Sequence, residues 1–94
     1  MPIFAQIASK IIQEQELVIG PLAWSEAQKV SGMQVAADHS VTIQNGDPKA
    51  AVDRLVAQYE RLFGRASHEV CREAAASIVS TMQPSEVPSS LLAA

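Results

Sequence analysis

The chain has 94 residues, enough for one small domain with a modest core, so a second copy would add useful stability. Its formal net charge of −3 argues against nucleic acid and anionic membranes as partners, because both attract basic proteins. A single cysteine excludes an internal disulfide. Apolar residues make up 48% of the chain and aromatic residues only 4%, so the core must be aliphatic.

The first predicted element is an amphipathic helix that begins behind Pro2, since proline is favoured in an opening helical turn. Its apolar positions recur at helical spacing. They are Ile3, Phe4, Ile7, Ala8, Ile11 and Ile12. Gly20 followed by Pro21 ends this helix, because proline disfavours helical geometry in the residue before it. A second, shorter helix is predicted from about Pro21 to Val30.

The stretch that follows, residues 33–47, loses helical periodicity. The β-branched run Val41–Ile43 lies between turn-forming residues and predicts a short strand. Met33–Val35 is its candidate partner in a hairpin within residues 33–44. An isolated hairpin is marginally stable in water. We therefore expect it to pack on the helices or to extend to a second copy of the chain.

Asp47–Pro48 predicts the start of a third helix, because the carboxylate accepts from free N–H groups and proline favours the first turn. On a single helical wheel, the apolar face after Gly64 is rotated by roughly a quarter turn from the apolar face before it. This favours two helices that meet at Gly64, with Ser67 as N-cap, over one long helix. The Pro- and Ser-rich residues 83–94 are predicted to be a disordered tail behind a single helical domain, residues 1–82.

The same pattern, an amphipathic run, two bulky apolar residues and a glycine, occurs at Gly20 and again at Gly64. A glycine after the last periodic residue lets a helix end in the left-handed conformation. We therefore predict a mainly α fold, a four-helix up-down arrangement of two helix–glycine–helix units, completed by dimerisation. The alternative is a chance similarity between amphipathic helices.

The first of these corners resembles a known family. The run Ile12–Ile19, followed by Gly20-Pro21-Leu22-Ala23 and then by Ala27, looks like the Gly-Pro-(Ile/Leu)-Ala helical segment of bacterial signalling and regulatory proteins. There, such small domains accompany kinases, response regulators or roadblock-type proteins. This resemblance implies a non-catalytic helical module that serves interaction or regulation. The strand at 41–43 and the second corner depart from the pattern.

Residues with metal or nucleophile chemistry are few. One candidate group of metal-capable side chains consists of Asp38, His39, His68, Glu69 and Cys71. A structural zinc site needs four ligands, usually in close pairs, so we expect no metal, and we predict no other cofactor and no catalysis. Cys71 follows His68 by one helical turn. A thiol-based sensor or enzyme at this pair is therefore the alternative to a buried structural cysteine.

Two sets of residues are predicted to bind partners. Large side chains flanking the corners are expected to mediate self-association; they are Ile19, Pro21, Leu22, Trp24, Tyr59 and Phe63. Arginines at helical spacing form a stripe suited to an acidic protein surface; they are Arg54, Arg61, Arg65 and Arg72. A break at Gly64 would split this stripe, and a solvated face is its alternative.

These patterns together favour a non-catalytic, homodimeric interaction or regulatory module with a further protein as partner. The other alternative is a nucleic-acid-associated regulator that carries Arg61, Arg65 and Arg72 to phosphates, with an affinity that falls steeply with salt. We expect a soluble cytoplasmic protein. The sequence shows neither a signal-peptide pattern at its start nor a stretch long enough to span a bilayer.

Overall fold

Four helices and one short hairpin account for most of the structure, a computed structural model that describes residues 3–44 and 46–92. The elements in chain order are α1 (Ile3–Ile19), α2 (Leu22–Ala27), β1 (Met33–Val35), β2 (Val41–Ile43), α3 (Pro48–Phe63) and α4 (Arg65–Val79). Two single-turn 3₁₀ helices, Pro84–Glu86 and Ser89–Leu91, follow. The prediction of a mainly helical fold with a small β-hairpin is confirmed.

Helix α1 is the central element, because it packs against the three other helices and against β2. One face of α1 is buried at the spacing that the apolar pattern predicts. The buried residues are Ala5, Ile7, Ala8, Ile11, Ile12 and Gln15. The predicted start at Pro2 lies outside the described residues. No helix in the described ranges has both the length and the apolarity to cross a bilayer.

The hairpin and the start of α3 agree with the sequence prediction. Strands β1 and β2 pair antiparallel, with Met33 opposite Ile43. Met33 is buried and β2 packs on α1, so the helices support the hairpin as expected. Asp47 caps α3, since its carboxylate accepts from the backbone N–H groups of Lys49 at 3.1 Å and Ala50 at 3.3 Å.

Both glycine corners are present and are closed by equivalent hydrogen bonds. The N–H of Gly20 donates to the carbonyl of Glu16, and the N–H of Gly64 donates to that of Glu60, each at 2.8 Å. The φ angles of the two glycines are 74° and 89°, a region that is costly for residues with a Cβ. The prediction that two helices meet at Gly64 is therefore confirmed.

Two boundaries differ from the prediction. Ser67 is not an N-cap, because α4 begins at Arg65 and Gly64 occupies the cap position. Ser67 is buried in the first turn of α4, where it faces α1. Helix α2 ends at Ala27 rather than near Val30, since the backbone continues in tight turns, with the N–H of Val30 donating to Ala27.

The C-terminal segment, defined as residues 83–92, differs from the predicted disordered tail. Its two 3₁₀ turns are ordered, and the second of them packs against α3 and α4. Val87, Pro88 and Leu91 are buried there. Composition favoured disorder because the segment is rich in serine and proline, yet Val87 and Leu91 join the core. Residues 93 and 94 lie outside the described part of the chain.

Candidate interaction surfaces

Two of the three aromatic residues in the predicted dimer interface, Tyr59 and Trp24, belong to the core of a single chain. Tyr59 is fully buried, and its hydroxyl donates to the carbonyl of Ala23 at 2.7 Å, which joins α3 to α2. Burial raises the pKa of the Tyr59 phenol well above its usual range. Trp24 is covered by the ring of His39, stacked at 3.9 Å between centroids. Tyr59 therefore has no surface to offer a second copy.

The two corners lie at the same end of the helices. Near the first corner, the Gln15 side-chain amide of α1 donates to the carbonyl of Ser67 in the first turn of α4 at 2.9 Å. The Tyr59–Ala23 hydrogen bond joins the second corner to α2 in the same way. At the opposite end, Phe4 and Pro48 line one small cavity, so α1 and α3 also begin near each other.

Large apolar side chains are exposed at this end. The exposed fractions are 80% for Leu17, 63% for Val18, 45% for Leu22 and 42% for Leu62, and we call these four residues the corner surface. Single exposed apolar residues are ordinary, whereas a group on neighbouring elements is typical of an interaction site.

The other predicted interface residues flank the corner surface. Pro21 is exposed, whereas Ile19 and Phe63 are half-buried and pack against the core. Leu17 and Val18 were absent from the predicted interface, because Leu17 lies off the apolar face of α1. An apolar residue such as Leu17 on the polar face near the end of a helix is the sequence signal that would have indicated this exposed position.

The arginine stripe is split by the corner at Gly64, so it does not form one continuous row. Arg54 and Arg61 belong to α3, where their guanidinium groups donate to neutral acceptors. On α4, Arg65 is exposed, and Arg72 donates to both carboxylate oxygens of Glu69 at 2.9 and 3.0 Å. The four residues therefore occupy different surroundings.

Cys71 and His68 are not brought together. The Cys71 thiol is buried and accepts from the Gln15 amide at 3.3 Å, and burial raises its pKa to about 11. Nucleophilic thiols have lowered pKa values, so this environment is the opposite of an activated one. The two ring nitrogens of His68 instead face the carboxylate of Glu60 at 3.2 Å and the carbonyl of Ser90 at 2.6 Å.

The remaining metal-capable side chains have local structural roles. Asp38 accepts from the hydroxyl and the N–H of Ser40, which closes the hairpin turn, and the hydroxyl contact is the larger cause of the lowered pKa of Asp38. His39 covers Trp24. Within residues 3–44 and 46–92, no three His, Cys, Asp or Glu side chains converge on a metal-binding cluster.

A buried carboxylate that the sequence did not reveal lies between α2 and α3. Glu26 accepts from the Lys29 ammonium at 3.0 Å and from the Gln58 amide at 2.7 Å. The hydrogen bond from Lys29 makes the largest contribution to lowering the pKa of Glu26 below its ordinary value, and that from Gln58 adds to it. In the sequence, Glu26 and Lys29 resemble any exposed helical pair, and Gln58 is far along the chain.

The chain is small and mainly helical, and four of its large apolar side chains are exposed near the two corners. Comparison of the chain with protein-family models, with curated proteins and with solved structures found no match.

Proposed function

We infer that this chain is a non-catalytic helical interaction module that self-associates through the corner surface. The observation that carries the proposal is the exposure of Leu17, Val18, Leu22 and Leu62 at the end where both corners lie. Burying a fully exposed side chain of this size contributes about 1.5–3 kcal/mol. Burial of the corner surface in a symmetric pair, where each residue counts twice, is therefore a substantial driving force.

An up-down arrangement of two helix–glycine–helix units, completed by a second copy, is part of this proposal. The equivalent hydrogen bonds at Gly20 and Gly64 support it. Helix α2 has only six residues, so it covers less of the core than the other three helices do. In a dimer, the second copy would pack beside α2 and shield this side of the core further. A regulatory role in the bacterial cytoplasm, with a further protein as partner, is supported by the sequence resemblance at the first corner.

The experiment is sedimentation equilibrium of the wild-type chain and of Leu17→Glu over low to high micromolar concentrations. We expect a concentration-dependent dimer for the wild type and a monomer for Leu17→Glu, because a buried unpaired carboxylate is costly. The control is Leu92→Glu, since Leu92 is 41% exposed and lies outside the corner surface. It should dimerise normally. A wild-type chain that remains monomeric at high micromolar concentration would contradict the proposal.

A further inference from the structure

A cleft of about 310 Å³ lies between the turn that follows α2 and one face of α3. Lys29, Arg54 and Arg61 line it, together with the neutral Ser31 and Gln58. The chain has seven Lys and Arg residues and a net charge of −3, so three cations around one cleft are a local concentration of positive charge. No carboxylate is among the described residues that line the cleft.

The two arginines are oriented by neutral acceptors. Arg54 Nε donates to the carbonyl of Ser31 at 3.1 Å, and a Cβ on Gly32 would lie 2.9 Å from Arg54 Nη2, so the side chain lies closely over this turn. Arg61 Nη2 donates to Gln58 Oε1 at 2.9 Å. A guanidinium has five N–H donors, so each arginine keeps donors beyond these contacts.

One carboxylate, that of Glu26, is hydrogen-bonded to two residues that line the cleft. Glu26 is engaged by the ammonium of Lys29 and by the amide of Gln58. Glu26 also lies within electrostatic range of Arg61, and its single negative charge offsets one of the three positive charges, so the cleft keeps a net positive charge. Gln58 also connects the two sides, because its amide donates to Glu26 while its oxygen accepts from Arg61. Arg72 differs, since Glu69 already binds it through both oxygens.

We propose that this cleft binds a phosphate monoester. The guanidinium groups of Arg54 and Arg61 donate to its oxygens, and Lys29 adds a compact positive charge. A phosphate presents three acceptor oxygens and up to two negative charges, which suits cations on both walls better than a planar carboxylate does. The phosphate belongs either to a free small molecule or to a phosphorylated side chain. None of the corner-surface residues lines the cleft, so this proposal is independent of self-association.

The test is an NMR titration of the ¹⁵N-labelled full chain with inorganic phosphate, matched in ionic strength by sodium chloride. We expect saturable shifts at the amides of Ser31 and Gln58. Arg54→Gln and Arg61→Gln should each weaken binding about tenfold, the effect of losing one charge-assisted hydrogen bond. The matched controls are Arg65→Gln and Arg72→Gln, which remove the same charge elsewhere. These should change the affinity by less than about twofold.

Further variants separate folding from binding and identify the source of the phosphate. Arg54→Lys keeps the charge and should bind with intermediate affinity, while far-UV circular dichroism confirms the fold of every variant. A phosphorylated partner is indicated if a phosphoserine peptide binds at least tenfold more tightly than inorganic phosphate and the same peptide without the phosphate does not bind. Equal or weaker peptide binding points to a small molecule. Shifts reproduced by chloride, or an equal loss in the control variants, would overturn the proposal.

Discussion

Tyr59 and Cys71 show how single residues are held neutral in this core. Each is fully buried, and each has one hydrogen-bond partner from a different element: the carbonyl of Ala23 for Tyr59 and the amide of Gln15 for Cys71. Burial disfavours the charged form of a phenol or a thiol, which is why the pKa of both groups is raised. Both groups therefore ionise at a higher pH in the folded chain than in the unfolded chain.

The pH dependence of stability follows from the raised pKa of Cys71. A thiol ionises near pH 8.5 in an unfolded chain and at about 11 here, so its contribution is complete below pH 8.5 and is lost as pH rises through 11. Between pH 7 and pH 10.5 we expect the free energy of unfolding to fall by about 2.5 kcal/mol more in the wild type than in Cys71→Ala. Urea unfolding at both pH values measures this. Equal losses in both proteins would show that the thiol is not responsible.

At the scale of elements, the C-terminal segment combines apolar anchors with polar ties. The Asp53 carboxylate of α3 accepts from the N–H of Ser90 at 3.0 Å and from the hydroxyls of Ser89 and Ser90. The carbonyl of Ser90 faces His68 of α4 at 2.6 Å. Because α3 and α4 provide hydrogen-bond partners for these polar groups, the segment can lie on the core with only two single-turn 3₁₀ helices of its own.

Leu91 and Leu92 provide a direct test of this docking, since Leu91 is buried and its neighbour is exposed. We expect Leu91→Ala to lower the free energy of unfolding by about 2–4 kcal/mol and to speed amide hydrogen exchange in residues 83–92. Leu92→Ala should change both by little. Chemical unfolding and exchange followed by mass spectrometry provide the readouts. A disordered segment would make the two variants indistinguishable.

The whole molecule presents two surfaces with different chemistry, the apolar corner surface and the cationic cleft. They share no residue, and each joins elements that are distant in sequence. The two proposals therefore depend on different side chains and can be tested separately.

Stability should depend on concentration if the corner surface is buried between copies. Association that stabilises only the folded state raises the thermal midpoint as concentration rises. We expect the midpoint of the wild type to increase between about 5 and 500 μM, and that of Leu17→Glu to stay constant. Scanning calorimetry across this range measures the difference. A midpoint that rises equally in both proteins would exclude the corner surface as the cause.

The features that were predicted correctly depend on short stretches of chain. The corner at Gly64, the strand Val41–Ile43 and the Asp47 cap each follow from local backbone preferences or from contacts within a few residues. Tyr59 was predicted to lie in a dimer interface, and it is buried within its own chain. An amphipathic pattern shows which face of a helix is apolar, but it does not show whether the same chain or a second copy covers that face.

Local sequence patterns were sufficient to locate the two glycine corners, the strand Val41–Ile43 and the start of α3, and to indicate a largely aliphatic core. Three features became visible only in the folded chain: residues 83–92 dock on the helices, Leu17 and Val18 stay exposed, and Lys29 lies with Arg54 and Arg61 around one cleft. The two groups of features differ in the sequence separation of the residues that interact. Periodicity and capping act over a few residues, whereas these outcomes depend on which distant segments exclude water from one another.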